Sequence, residues 1–482
     1  MSRTVLSEQA LVRGLGLAAA TSVVVGSVIG TGIFLKTRVM MCNVESPTLV
    51  IVAWLVAGLL SLAGALTYAE LAAMMPRAGG EYVFIREGYG RPLAFLYGWT
   101  QFAVAYSGSQ AAKGVGFAIF LNGLVAGTLD RTFFTLDVFG YPVPFGWLQV
   151  VALAVIIGAT GVNCLAVAVG GSISVFLTSL KILIVMGIGV GAFVLARGNW
   201  GHFAMGGAAA ACDGVEATAR GGLAGFGAAL VGALWAYDGW TNGSNVAGEV
   251  RDPQRTLPIA LIGGTLIVGA LYVFANVSYL FVLAPEDIGN VSAASSVATE
   301  VVRQFLGPAA VALVAVAMMI STLGTLHTGT MAGARISYAM ASDGLFFAPL
   351  AKVSAGARVP VNALLLQCVW SCVLALSGSY DRLTDYVIFA AWIFYALNTA
   401  SVFILRRRLP DAERPYRTIG YPVVPLVFIL VAAWLIVNTL TATPRQALAG
   451  LTIILMGLPI YWYWTQRNGG AIKTGVVVGP GR

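Results

Sequence analysis

The sequence predicts an all-α integral membrane protein of twelve transmembrane helices, arranged as an inverted five-plus-five repeat with helices 1 and 6 broken at their centres. Three observations lead there. The 482 residues are 58% hydrophobic and only 10% charged, with a mean hydropathy of +0.85, where a soluble domain carries roughly 25% charged residues. Twelve runs are apolar and long enough to span a bilayer, which takes about 20 residues. Two of these, the first and the sixth, are interrupted near the middle by small and polar residues.

Taken in order, a polar stretch, residues 1–14, leads with no cleavable signal into the first run and is expected to be cytoplasmic. The apolar runs fall at 15–36, 48–74, 92–126, 145–166, 170–196, 223–247, 257–283, 303–340, 361–377, 383–405, 421–440 and 446–465. The third and eighth are long enough to tilt or to project past the membrane. With both termini cytoplasmic, eighteen Lys and Arg residues lie on the inner side and eight on the outer, while Lys113 and Lys181 lie inside spans. That excess orients the chain. Residues 15–196 and 223–405 then hold five spans each in opposite orientations, the arithmetic of an inverted repeat. Helices 11 and 12, within 421–465, stand outside the repeat, and 466–482 read as a flexible cytoplasmic tail.

The net charge of +8 and pI near 9.3 do not indicate nucleic acid, because the basic residues sit in short loops between apolar runs. The five cysteines, Cys42, Cys164, Cys212, Cys368 and Cys372, have no metal-type spacing. Cys368 and Cys372 read as packing residues one turn apart. Cys42 and Cys212 both fall in loops assigned to the outside, where a bridge between them is open.

Irregular backbone at membrane depth is tolerated only where it is buried or lines a cavity. At the first break, Gly26-Ser27-Val28-Ile29-Gly30-Thr31-Gly32, freed N–H groups suit a carboxylate and freed carbonyls suit an ammonium or a cation. Val28, Ile29, Gly30, Thr31 and Gly32 are therefore candidate ligands for a small zwitterion. The alternative is a helix-packing face, since Gly26 and Gly30 form a Gly-x-x-x-Gly pair. At the second break, Trp235-Ala236-Tyr237-Asp238-Gly239-Trp240, Asp238 is an intramembrane acid, a functional candidate by default. It can accept a proton, tune polarity beside the ammonium or cap a half-helix. Trp235, Ala236, Asp238 and Gly239 complete the candidate site, with Trp235 as gate or wall.

Lys181, in the fifth run, either snorkels to the interface or is held by carbonyls of the broken first helix and hydroxyls such as Ser321 and Thr322. In the second case it takes the place of a sodium ion and can carry a proton. Lys113 suits a vestibule or a local structural contact. His327 reads as a satisfied bundle histidine. Glu81 and Arg86, with Glu249 and Arg251, place opposite charges on inner loops, where they can pair across a gate or stay solvated. No metal cluster, cofactor motif or nucleophile–base pair is evident, so neither an enzyme nor a bound metal or cofactor is expected. A receptor is disfavoured because there is no extramembrane domain.

These residues also resemble a family. The chain is similar to the amino acid–polyamine–organocation superfamily, and within it to the L-type amino acid transporter branch and its bacterial relatives. The likeness is carried by the first break through Phe34, by Tyr68-Ala69-Glu70-Leu71 running to Gly79-Gly80-Glu81-Tyr82, and by the second break through Ala247-Gly248-Glu249-Val250-Arg251-Asp252-Pro253 to Pro258. A weaker stretch runs from Arg335 to Gly344. The resemblance implies a leucine-transporter-type fold and alternating-access, sodium-independent exchange of neutral L-amino acids. A proton-coupled permease for cationic amino acids or polyamines is the alternative. It implies that Thr31 and Gly32 bind the carboxylate, that carbonyls of Val28, Trp235 and Asp238 bind the ammonium, and that Lys181 fills a cation position. Animal members bond a single-span heavy chain through a cysteine between helices 3 and 4. The loop from Gly127 to Pro144 contains no cysteine, so no such partner is expected, and a bacterial inner membrane is the expected location.

Overall fold

The computed structural model describes residues 11–138, 141–206, 212, 215–292, 295–376, 380–442 and 444–467. Most of the predicted N-terminal stretch and tail lie outside them. The first apolar run forms α1 (Leu17–Val28) and α2 (Gly32–Val44), two halves separated at Ile29, Gly30 and Thr31. α3 (Pro47–Met74) starts where Ser46 accepts a hydrogen bond from the Leu49 N–H and Pro47 takes the first helical position, whose N–H would be unpaired anyway. A short α4 (Gly80–Tyr89) precedes α5 (Arg91–Thr100), which continues through a π-helical segment, Gln101–Tyr106, into α6 (Ser107–Leu124). An antiparallel hairpin, β1 (Thr132–Val138) and β2 (Tyr141–Gly146), leads to α7 (Trp147–Asn163) and α8 (Val167–Leu195).

The second half opens with α9 (Gly222–Ala236) and, after an unwound stretch, the single turn α10 (Asn242–Asn245). There follow α11 (Pro253–Val282), α12 (Pro285–Gly289), α13 (Val297–Leu306), α14 (Ala309–Ser342), α15 (Val361–Leu376) and α16 (Tyr380–Arg408). α17 (Val423–Ala442), α18 (Pro444–Leu455) and α19 (Gly457–Arg467) end the described chain.

Among the described residues, seven helical runs are long and apolar enough to cross a membrane, with α1–α2 counted as one. Three shorter apolar helices, α7, α9 and α15, accompany them. Leu183, Val194, Leu223 and Leu430 are between 67% and 90% exposed, a surface that water would penalise and hydrocarbon does not. This is a multi-pass membrane protein.

The interrupted helices sit at the centre of the bundle. α1 packs against α8, α11 and α14, α2 against α9, and α3 along α11. Glycine makes the closest approach possible: a Cβ on Gly32 would lie 2.6 Å from the Ala236 Cβ. The stretch entering α1 is pinned as well. The Leu15 N–H donates to the Glu249 carbonyl at 2.9 Å, and the Arg251 N–H donates to the Leu15 carbonyl at 2.8 Å.

Several expectations need correction. A β-hairpin occupies the loop between the third and fourth runs, so the chain is not purely helical. The eighth run begins at Ala309 and not at 303, because Gly307, at φ +58°, and Pro308 break the chain and leave α13 separate. The first run extends to Val44, which puts Cys42 on a helix and not in a loop. Cys42 does bond Cys212, tying α2 to the segment before α9. Arg335, counted among the inner-side basic residues, is buried within α14.

Candidate functional site

Where α1 ends, its carbonyls are claimed by side chains from three other helices. Lys181 of α8 donates from Nζ to the carbonyls of Gly26 at 2.7 Å and Ile29 at 2.8 Å. Ser321 of α14 donates to the same Ile29 carbonyl at 2.9 Å and to that of Gly30 at 3.2 Å. Tyr272 of α11 donates to the Val28 carbonyl at 2.8 Å and also to the Ala236 carbonyl at 3.0 Å, so one hydroxyl ties the two breaks together. The freed carbonyls are thus satisfied from within the protein, as the apolar surroundings demand.

Lys181 is 1% exposed, its ammonium turned to carbonyls inside the bundle and not outward. Its seat depends on Gly324, where a Cβ would come within 2.4 Å of the Lys181 Cε. Ser321 shares its carbonyl acceptor. Thr322 turns its hydroxyl back to the Met318 carbonyl, the ordinary outlet for a helical threonine, and is placed on the cavity wall by its position rather than by a bond to Lys181.

No side chain caps the start of α2. The Phe34 and Leu35 N–H groups return to the Thr31 carbonyl, which leaves the N–H groups of Gly32 and Ile33 at the start of the helix for an anion, favoured there by the helix dipole. Beside it is a cavity of about 140 Å³, bordered by Val28, Gly30, Thr31 and Gly32 from the first break and by Trp235, Ala236 and Asp238 from the second. Thr322, Thr325, Lys113, Trp392 and Tyr395 are among the other polar and aromatic residues of its wall. Ile29 does not border it; its side chain is fully buried and only its carbonyl takes part. Gly239 borders a second cavity of about 70 Å³. At φ +107° it holds a conformation that other residues resist, and a Cβ there would press on the Ser27 backbone at 3.0 Å. The two cavities share Ser27, Ser109, Lys113, Asp238, Ala391 and Tyr395, so they adjoin. Lys36 lies 4.4 Å above the Trp235 ring, a cation–π contact on the candidate gate.

The end of the bundle that carries residues 11–16 is closed by polar pairs, of which Arg335–Glu249 is buried. Arg335 grips both oxygens of Glu249 at 3.0 Å each. Arg86 pairs with Asp343 across the two halves. Arg251 donates instead to the Arg13 carbonyl. Glu81, lining the second cavity, is held by hydroxyls and an amide: Tyr68 donates to it at 3.0 Å, Tyr97 at 2.9 Å and the Asn245 amide at 3.5 Å. No cation pairs with Glu81 among the described residues, and burial pushes its carboxyl up to about 7. His327 bonds Asn163 and the Gly170 carbonyl, the satisfied bundle histidine.

Sequence reasoning missed Tyr272, Tyr395, the Ser27–Asn242 bond of 2.9 Å and the aim of Lys113. A lone tyrosine inside an apolar run carries no signal of which carbonyls it will reach 36 and 244 residues away. Lys113, a charge inside a span, did carry one.

Comparison with known proteins places this geometry. A family model described as amino acid permease matches residues 15–463. The serine/threonine exchanger SteT of Bacillus subtilis is 29% identical over 96% of this chain and 99% of its own length. The b(0,+)-type amino acid transporter 1 of Mus musculus is 28% identical over 96% of this chain and 92% of its own. The large neutral amino acids transporter small subunit 2 of Oryctolagus cuniculus is 28% identical over 95% and 82%.

Proposed function

The chain belongs to the amino acid permease family, and on that premise we propose that it exchanges L-amino acids across a bacterial inner membrane by sodium-independent alternating access. Its family and relatives are transporters and not enzymes. The observation that carries the proposal is the meeting of two helix interruptions on one cavity, with an uncapped helix start on one side. In this reading the N–H groups at Thr31 and Gly32 hold the substrate carboxylate, and carbonyls of Val28, Trp235 and Asp238 face its ammonium. Carbonyls have two lone pairs, so the Val28 carbonyl keeps one beside Tyr272.

Lys181 occupies the place of a sodium ion, since its ammonium already neutralises the carbonyls that a cation would need. The pairing of α3 with α11 and of α2 with α9 fits twelve spans folded as two inverted repeats, 15–196 and 223–405, with 421–465 outside them and both termini cytoplasmic. The absence of a cysteine between 127 and 144 supports action without a disulfide-linked heavy chain. A second reading, a proton-coupled permease for cationic substrates, is favoured by the carboxylate of Asp238 on the cavity wall.

Uptake of radiolabelled serine and of radiolabelled arginine into sodium-free proteoliposomes tests the two readings. Exchange requires uptake only into vesicles preloaded with an amino acid. Uptake into empty vesicles that grows with an imposed proton gradient overturns exchange in favour of the permease.

A further inference from the structure

Lys113 and Asp238 come from different elements, α6 and the break between α9 and α10, and border the same cavity. No ion pair within contact distance joins them among the described residues. Asp238 accepts a hydrogen bond from the Tyr395 hydroxyl. Lys113 reaches the Thr325 carbonyl at 3.5 Å, a long contact for an ammonium with three donors. The cavity therefore presents one cation, held only by a long carbonyl contact, and one anion, whose carboxylate has acceptor capacity left beside the Tyr395 hydroxyl, to whatever fills it.

We propose that Lys113 and Asp238 act as a charge filter, selecting a small neutral side chain that both donates and accepts hydrogen bonds, a hydroxyl or a carboxamide. The inference rests on the reading of this cavity as the amino acid site. A cationic side chain drawn to Asp238 is opposed by Lys113, and an acidic one drawn to Lys113 is opposed by Asp238, so neither gains enough attraction to offset leaving water. An apolar side chain leaves both charges unsatisfied. A hydroxyl or carboxamide gives an acceptor to Lys113 and a donor to Asp238. The α-amino and α-carboxyl groups are left to the backbone of the two breaks.

The test is inhibition of labelled serine exchange by unlabelled amino acids in proteoliposomes. Wild-type protein should be inhibited by serine, threonine, asparagine and glutamine at concentrations about tenfold or more below those needed for arginine, glutamate or leucine. Lys113→Met should shift the preference toward arginine and lysine, and Asp238→Asn toward glutamate and aspartate. The two variants must move selectivity in opposite directions. The double variant should accept leucine better than either.

Flat wild-type selectivity overturns the filter, as do two variants that shift the same way or not at all. If both single variants are inactive, the wild-type panel alone decides. Absence of any amino acid exchange by the wild type overturns instead the transport reading beneath it.

Discussion

Replacing Arg335 with methionine should destabilise the protein by about 3–5 kcal/mol, the cost of stranding a buried charge by removing its partner. The structure supports a value in that range. Arg335 and Glu249 are 1% and 0% exposed, so water cannot reach the carboxylate that is left behind. Arg335 gives two hydrogen bonds of 3.0 Å to Glu249 and one of 2.9 Å to the Met331 carbonyl. Charged hydrogen bonds contribute about 1.5–3 kcal/mol each, and the recovered desolvation of the guanidinium offsets part of their sum. Methionine is long enough to fill most of the space, so a cavity adds little. The assay is the fraction of folded protein surviving a heat step in detergent, read by size-exclusion chromatography.

The companion variant separates charge from shape. Glu249→Met combined with Arg335→Met replaces both ions by apolar side chains, a change that is often neutral in buried pairs, and should recover most of the lost stability. A single variant as stable as wild type refutes the reasoning. So does a double variant no better than the single one.

Three other perturbations follow from the same geometry. Gly324→Ala puts a Cβ 2.4 Å from the Lys181 Cε and should reduce exchange at least about tenfold by unseating an ammonium held by two charge-assisted bonds, whereas Gly263→Ala, with open space around it, should leave transport unchanged; equal activity of both variants contradicts the role of Lys181. Cys42→Ser or Cys212→Ser opens a bridge spanning 170 residues and should cost about 2–4 kcal/mol, measured as lower heat resistance that reductant reproduces in wild type but not in the variant; reductant-insensitive wild type would contradict it. The Glu81 carboxyl stands at about 7 because of burial, above the value of about 4.3 for an unfolded chain, so folding favours its protonated form. Its contribution is fully present below the unfolded value, declines as pH rises through about 7 and is level above. Wild type should therefore be more heat-resistant at about pH 5 than at about pH 8, and Glu81→Gln should flatten that difference; an unchanged slope in the variant assigns it elsewhere.

Much of the architecture was legible because its signals are local. Glycine and threonine at 30–32 mark a place where an apolar helix cannot continue, and the helix stops there. A lysine several residues inside a span must find carbonyls, and a broken helix is where spare carbonyls exist. What was not legible depends on distance and direction. Tyr272 bridges both breaks, but nothing in Leu271-Tyr272-Val273 distinguishes it from Tyr279, a turn or two further on. The partner of Glu249 is Arg335, 86 residues away, and not the adjacent Arg251, because the chain turns at Val250 and carries Arg251 to Leu15 and Arg13. The loop from Gly127 to Pro144 gave no hint of a hairpin, because its pairing is fixed by contacts across the turn, where Phe133 and Phe134 both pack on Phe145.

The most direct measurement is an experimental structure of the protein with serine bound. Density for the carboxylate at the N–H groups of Thr31 and Gly32, with the hydroxyl between Lys113 and Asp238, is the predicted result. An amino acid bound anywhere else, with the cavity between the two breaks filled only by water, would contradict the account.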